Sequence, residues 1–269
     1  MRLNKFIAHN SKYSRREAEK VIASGEVKID KNIVTDPACD VGEEDKVFLH
    51  DKFVKIRDGF TVIVYNKPKG ELVTKSDPKG RRTIYDGLGR KYAAYMPIGR
   101  LDFASEGLLL LTDSSEIADT LMTSKLERVY NIKVAGDVPK ELQEAMKNGL
   151  HLDDATAGGH SESRMTSMDF APFVGFKILK DHPKYSRLRI ALNEGKNREI
   201  RRFFAYFERD VLDLRRVSFG GVELNALPEG KTRFLEKSEY NSLHKYLKQK
   251  RKEKSTKESN DKNYSNIKA

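Results

Sequence analysis

The chain has a single cysteine in 269 residues, Cys39, so it holds no internal disulfide framework and no cysteine-built zinc site. That usage fits a reducing compartment. Its six histidines are scattered and make no plausible His/Cys metal cluster. Met1-Arg2-Leu3-Asn4-Lys5 leads into no apolar signal region, and no stretch reaches the roughly 20 apolar residues that a bilayer span needs. The expectation is a soluble, cytoplasmic protein with no membrane association.

Charge, by contrast, is plentiful. Charged residues make up 34% and hydrophobic residues 38%, enough for a packed core under an ionic surface, and the length fits two domains. Lys plus Arg number 51 against 40 Asp plus Glu, a net +11 that directs attention to a polyanionic partner. Residues 1–52 contribute no net charge, 53–243 contribute +5, and 244–269 contribute +6. The last segment is rich in Lys, Ser and Asn with little apolar content after Leu247, and it is expected to be a disordered tail. Composition fits both a solubilising extension and a loose electrostatic clamp on nucleic acid.

The neutral first segment is itself split. Residues 1–20 hold Arg2, Lys5, Lys12, Arg15, Arg16 and Lys20 against Glu17 and Glu19, whereas residues 21–52 are predominantly acidic. Leu3, Phe6 and Ile7 have helical spacing. Ser14-Arg15-Arg16-Glu17 is a capping box that starts a second helix, with Ala18, Val21 and Ile22 on one face and Gly25 at its end. Short β-prone pieces follow at Val27 to Ile29, Ile33 to Val34 and Val47 to Leu49. Basic side chains around the first turn of the second helix can meet phosphates beside the exposed amides there. This stretch resembles the S-four-type RNA-binding domain, which makes Arg2, Lys5, Arg15, Arg16 and Lys20 candidate RNA contacts.

Residues 53–60 read as a linker into a strand at Thr61 to Tyr65, broken by Asn66-Lys67-Pro68-Lys69-Gly70. Further on, Gly99-Arg100-Leu101-Asp102 stands on a glycine-bounded loop directly ahead of the apolar run Gly107-Leu108-Leu109-Leu110-Leu111. A loop braced by a buried strand can position a carboxylate accurately, although an Arg-x-Asp pair alone is commonplace on surfaces. Tyr130, Ile132 and Val134 share one face of an alternating strand, so Tyr130 is either a core aromatic or a platform for a base. A strand at Leu188 to Leu192 leads to Glu194-Gly195-Lys196-Asn197-Arg198 and a helix with a buried stripe of Ile200, Phe203, Phe204 and Phe207. Arg198, Arg201 and Arg202 are expected away from that stripe. With Lys196 they form a basic helix start suited to phosphate. Pro139 to Leu150 reads as a helix, and Gly158-Gly159 with the polar run to Ser167 as a loop excursion.

Taken in order, the N-terminal module, Lys67-Pro68-Lys69-Gly70, Gly99-Arg100-Leu101-Asp102, Arg128-Val129-Tyr130, Glu194-Gly195-Lys196-Asn197-Arg198 and Leu224 to Gly230 resemble the pseudouridine synthases of the RsuA/RluB family. The stretch from Tyr65 to Arg81 is most similar to the RluB branch, which acts on large-subunit (23S) rRNA. The resemblance implies an α+β fold: an S-four-type domain at 1–52, a linker at 53–60, and a catalytic domain at 61–243 with a mixed, mainly antiparallel sheet, ahead of the tail at 244–269. It implies Asp102 as the essential carboxylate, Tyr130 packed against the target uracil, and Lys196 as the cation that holds Asp102 ionised. Arg100, Arg198, Arg201 and Arg202 would contact RNA. The isomerisation needs no redox change, so neither a metal nor an organic cofactor is expected. The expected partner is ribosomal RNA, 23S or a large-subunit assembly intermediate, bound by a monomer. The same face would also serve the same activity on 16S rRNA, a non-catalytic ribosome-assembly factor or, at lower rank, a DNA-binding regulator.

Overall fold

The computed structural model describes residues 1–266 except 12, 43, 57–58 and 160–164. Part of the expected linker, part of the polar run before Ser167 and the last three residues of the tail therefore lie outside the described residues.

The N-terminal unit is built from α1 (Leu3–Asn10), α2 (Arg15–Ala23), β1 (Val27–Ile29), β2 (Asn32–Ile33), β3 (Val47–Leu49) and β4 (Lys52–Phe53), with its four strands ordered β2-β1-β3-β4. Leu3, Phe6 and Ile7 of α1 pack on Ala18 and Ile22 of α2 and on Val27, Val47 and Leu49 of the sheet. The capping box forms as expected: Ser14 Oγ accepts from the Glu17 amide at 3.3 Å, and Glu17 Oε2 accepts from the Ser14 amide at 2.7 Å. These bonds hold the Glu17 carboxyl below its ordinary range. Val54 joins the same core, so this unit extends slightly past residue 52.

The larger domain is organised by one nine-stranded sheet. Its elements are β5 (Val62–Lys67), α3 (Ile84–Leu88), β6 (Met96–Pro97), β7 (Glu106–Thr112), α4 (Ser115–Met122), β8 (Arg128–Ala135), α5 (Lys140–Asn148), β9 (Leu150–Leu152), β10 (Met168–Phe170), β11 (Gly175–Lys180), β12 (Tyr185–Leu192), α6 (Glu199–Tyr206), β13 (Val211–Phe219), β14 (Val222–Glu223), β15 (Thr232–Phe234) and α7 (Lys237–Asn266). Seven strands run in the order β11-β12-β8-β13-β7-β5-β15, with β6 beside β7 and β14 beside β13; β9 and β10 form a separate pair. Among the described strands of this sheet only β13 and β7 pair in parallel, so the sheet is mixed and mainly antiparallel, and the α+β expectation holds. β5 is buried along its whole length and β7 from Gly107 onward, as central strands covered on both faces must be. One face packs on Phe203 and Phe204 of α6 and Leu142 and Met146 of α5, and the other on Ile117 and Leu121 of α4 and Leu243 and Leu247 of α7.

Helix α7 corrects the expectation of a disordered tail. Tyr240 and His244 stack on Phe60 with ring centroids 5.8 and 6.2 Å away, and Leu243 and Leu247 are buried, which anchors the first turns. Arg233 pairs with Glu239, which also accepts from the Glu223 and Glu236 amides. From Lys248 to Lys254 every residue is a good helix former, and Lys250 pairs with Glu253 at i,i+3. The helix continues to Asn266, so polar composition here goes with helical structure. Among the described residues no helix is long and apolar enough to cross a membrane.

The pairing of β13 with β7 depends on a glycine. Gly107 has φ +100, and a Cβ there would meet the Arg216 carbonyl at 2.2 Å. Gly107→Ala is expected to cost about 3 kcal/mol, read as a lower denaturation midpoint at unchanged m-value. Ser14→Ala removes one half of the α2 cap and should cost about 1 kcal/mol in the same measurement.

Candidate active site

Where β6 ends, Gly99 takes φ +79 and the chain loops back through Leu101 and Asp102 before β7 begins. That loop is gripped from beneath. Lys67, at the end of β5, is fully buried, and its ammonium donates to the carbonyls of Pro68 at 2.8 Å, Asp102 at 3.2 Å and Ser105 at 2.8 Å. Gly70 N–H adds a bond to the Phe103 carbonyl at 2.8 Å. Burial pulls Lys67 down to about 8, opposed by the nearby carboxylates of Glu71, Asp102 and Glu106. The backbone that carries Asp102 is thereby fixed by a buried cation.

The side chain of Asp102 rises from this grip into an open cleft lined among others by Arg100, Tyr130, Lys196, Arg198, Arg201 and Arg216. Its Oδ2 lies 3.3 Å from Arg198 Nη1 and 3.4 Å from Arg201 Nε, the latter an ion pair without hydrogen-bond alignment. Arg201 is held by Val211 O at 2.8 Å and Ser105 Oγ at 3.4 Å, and burial pulls its guanidinium down against the opposing charge of Asp102. Arg198 sits at the start of α6 with φ 51, a left-handed residue whose Nε donates to Gly158 O at 2.7 Å. Tyr130, on the inward face of β8, forms part of the wall. A partly exposed carboxylate between two guanidiniums, beside an aromatic ring, can act on a bound ring or sugar while its charge is balanced.

Comparison with known proteins gives this geometry a family. The RNA pseudouridylate synthase family matches residues 61–206, and the S4 domain matches residues 1–47. The chain is a member of the RNA pseudouridylate synthase family. It is 53% identical over 249 residues to an uncharacterized RNA pseudouridine synthase of Helicobacter pylori, covering 92% of this chain and 95% of that one. It is 32% identical over 244 residues to ribosomal large subunit pseudouridine synthase B of Bacillus subtilis, covering 90% and 95%. A crystal structure of a pseudouridylate synthase superposes with a TM-score of 0.60 at 28% identity, over 90% of this chain and 99% of that one. The protein is accordingly a pseudouridine synthase of the RsuA/RluB type, an isomerase acting on uridine in RNA, with an N-terminal S4 domain.

Within the synthase, Asp102, Tyr130, Lys196, Arg100, Arg198 and Arg201 all line one cleft. The cation expected to hold Asp102 needs correction. Lys196 turns away to Glu194 at 2.7 Å and to the Asp169 carbonyl, and Arg198 and Arg201 take the place against Asp102. The left-handed turn at Arg198 separates the two stretches, and i,i+3 spacing then puts Arg198 and Arg201 on one side of α6. Arg202 is a second correction: it is fully buried and donates to the carbonyls of Ala155 and Asn197, so it braces the core instead of facing RNA. In the S4 domain Arg2, Arg16 and Lys20 are exposed, Lys5 borders a groove against α4 and α7, and Arg15 Nη2 reaches Asp119 of α4 at 3.4 Å.

The part that Lys67 plays is not marked by any local pattern in the sequence. Lys67 stood in a named motif, but nothing in its spacing revealed a lysine turned inward beneath Asp102. Lys67→Met leaves three carbonyls without their donor and should lower stability by about 3 kcal/mol and turnover with it. In the wild type, turnover should fall as pH rises through about 8, when the ammonium is lost. Stability should not fall with it on Lys67's account. Between 8 and 10.5 the unfolded chain binds this proton and the folded chain does not, so the Lys67 contribution to unfolding free energy rises across that window. Parallel pH profiles of turnover and denaturation midpoint for wild type and Lys67→Met check this.

Proposed function

We propose that this synthase converts a uridine of 23S ribosomal RNA to pseudouridine in the cytoplasm, with Asp102 as the essential carboxylate. The supporting observation is the choice of acids at the cleft. Two carboxylates line it; Glu199 is buried, its pKa raised by desolvation and its oxygen taken by the Lys196 amide at 3.1 Å, whereas Asp102 is a third exposed. Asp102 is thus the one that a nucleoside can reach. The name of the Bacillus subtilis relative supports the large-subunit target.

The isomerisation breaks the N1–C1′ bond, turns the uracil and rejoins it through C5; C5 loses a proton and N1 gains one. A carboxylate must meet the sugar or base, and the detached uracil must be kept from escaping. In this reading Asp102 supplies the first and the Tyr130 ring the wall that retains the base. Extruding the nucleotide from its stack costs a few kcal/mol, which stacking on Tyr130 and contacts from Arg100 offset. Arg2, Lys5, Arg16 and Lys20 of the S4 domain dock the surrounding RNA through phosphates.

Asp102→Asn should lower tritium release from uridine labelled at C5 by about 10³-fold or more while rRNA affinity stays close to wild type. Turnover near wild type would overturn the assignment. Comparing pseudouridines in rRNA from cells with and without the gene should show one 23S position lost, and a loss confined to 16S would refute the target. Arg16→Glu with Lys20→Glu should weaken rRNA binding about tenfold or more at low salt, with saturated turnover unchanged.

A further inference from the structure

Arg216 is a buried cation that the fold leaves unbalanced. It is 3% exposed on β13 and lines the cleft that holds Asp102. Its Nε donates to Leu108 O at 2.7 Å, whereas Nη2 is buried with no partner, and among the described residues no carboxylate pairs with it. Its neighbour Arg128 shows what a structural arginine looks like in this place. That guanidinium is directed onto the carbonyls of Met122, Ser124, Leu126 and Asn193 at 2.9 to 3.4 Å. Both cations lie over Phe219, Arg128 at 4.7 Å and Arg216 at 5.6 Å from the ring centroid, which offsets only part of the desolvation. A buried polar group without a partner costs several kilocalories in an apolar setting and calls for a reason.

The sheet register supplies one. Arg216 is directly opposite Tyr130 in the β13·β8 ladder, and both are inward members of their strands. Side chains so paired lie about 5 Å apart at Cβ. Resting on the proposed site, with the base against Tyr130, Arg216 flanks the uracil and not the sugar-phosphate chain. Whether Asp102 displaces at C1′ or removes a C2′ proton with elimination, the electron pair of the N1–C1′ bond departs with the uracil. The charge spreads onto its O2 and O4 carbonyl oxygens. It is consumed when C5 bonds to C1′.

We infer that Arg216 is a further catalytic residue, whose unpaired guanidinium N–H groups stabilise the negative charge on a carbonyl oxygen of the detached uracil. A preformed donor of this kind acts most when charge develops, so its removal lowers the rate of chemistry more than RNA affinity.

The test compares wild type, Arg216→Gln and Arg216→Lys in single turnover on two 16S and 23S rRNA transcript sets, one carrying C5-tritiated uridine and one carrying 5-fluorouridine. Fluorine stabilises the uracil anion, so the departing base needs less help. On uridine, Arg216→Gln should lose about 10²- to 10³-fold in rate with unchanged RNA affinity, and Arg216→Lys, which keeps charge without the planar fork, should fall between. On 5-fluorouridine, followed by its disappearance, the same deficits should shrink about tenfold. Equal deficits on both transcripts overturn the proposal, as does a loss confined to RNA affinity, the mark of a phosphate contact. If Arg216→Gln fails to fold, the ratio of the two deficits of a folded Arg216→Lys decides on the same criterion. Wild-type protein that releases no tritium from either rRNA brings down the underlying reading, and Arg216 with it.

Discussion

A single carboxylate held between fixed cations is the constraint around which the catalytic domain is arranged. Asp102 faces Arg198 and Arg201 in front, and its backbone rests on the buried ammonium of Lys67 behind. Neither support works without the sheet: Lys67 ends β5, Arg201 is tied to Val211 at the head of β13, and Ser105 links the two by accepting from Arg201 and Lys67. A site built this way loses little freedom when substrate binds, because its charges are oriented before the RNA arrives.

The same economy of contacts joins the S4 domain to the catalytic domain. Helix α4, which covers the second face of the sheet, meets α1 and α2 through His9 near Ser114 at 3.4 Å and Arg15 with Asp119 at 3.4 Å. The Arg15–Asp119 pair is exposed and of modest strength, whereas the His9–Ser114 contact is partly buried. Helix α7 borders the same groove through Tyr246, Leu247 and Lys250.

What could be read from sequence follows the reach of local rules. The α2 cap, the inward face of β8 and the glycine-bounded turn before Asp102 each depend on neighbours within a few residues, and they appear as expected. The partner of Asp102 did not, because a left-handed residue at Arg198 redirects the chain between Lys196 and α6. Periodicity puts Arg202 outside the stripe of Ile200, Phe203 and Phe204, yet it is buried beside them, where carbonyls of Ala155 and Asn197 receive it. Lys67 and Arg216 act through contacts between strands distant in sequence, at separations no periodicity encodes. Composition alone points to a disordered tail, whereas Leu243 and Leu247 anchor a helix that then continues in polar residues.

The most direct measurement is a structure of the protein bound to a rRNA fragment carrying its target uridine. The account requires an extruded nucleotide with its base on Tyr130 and its C1′ within about 3.5 Å of an Asp102 oxygen still flanked by Arg198 and Arg201. A uridine seated elsewhere, or an Asp102 withdrawn from the sugar and base, would contradict it.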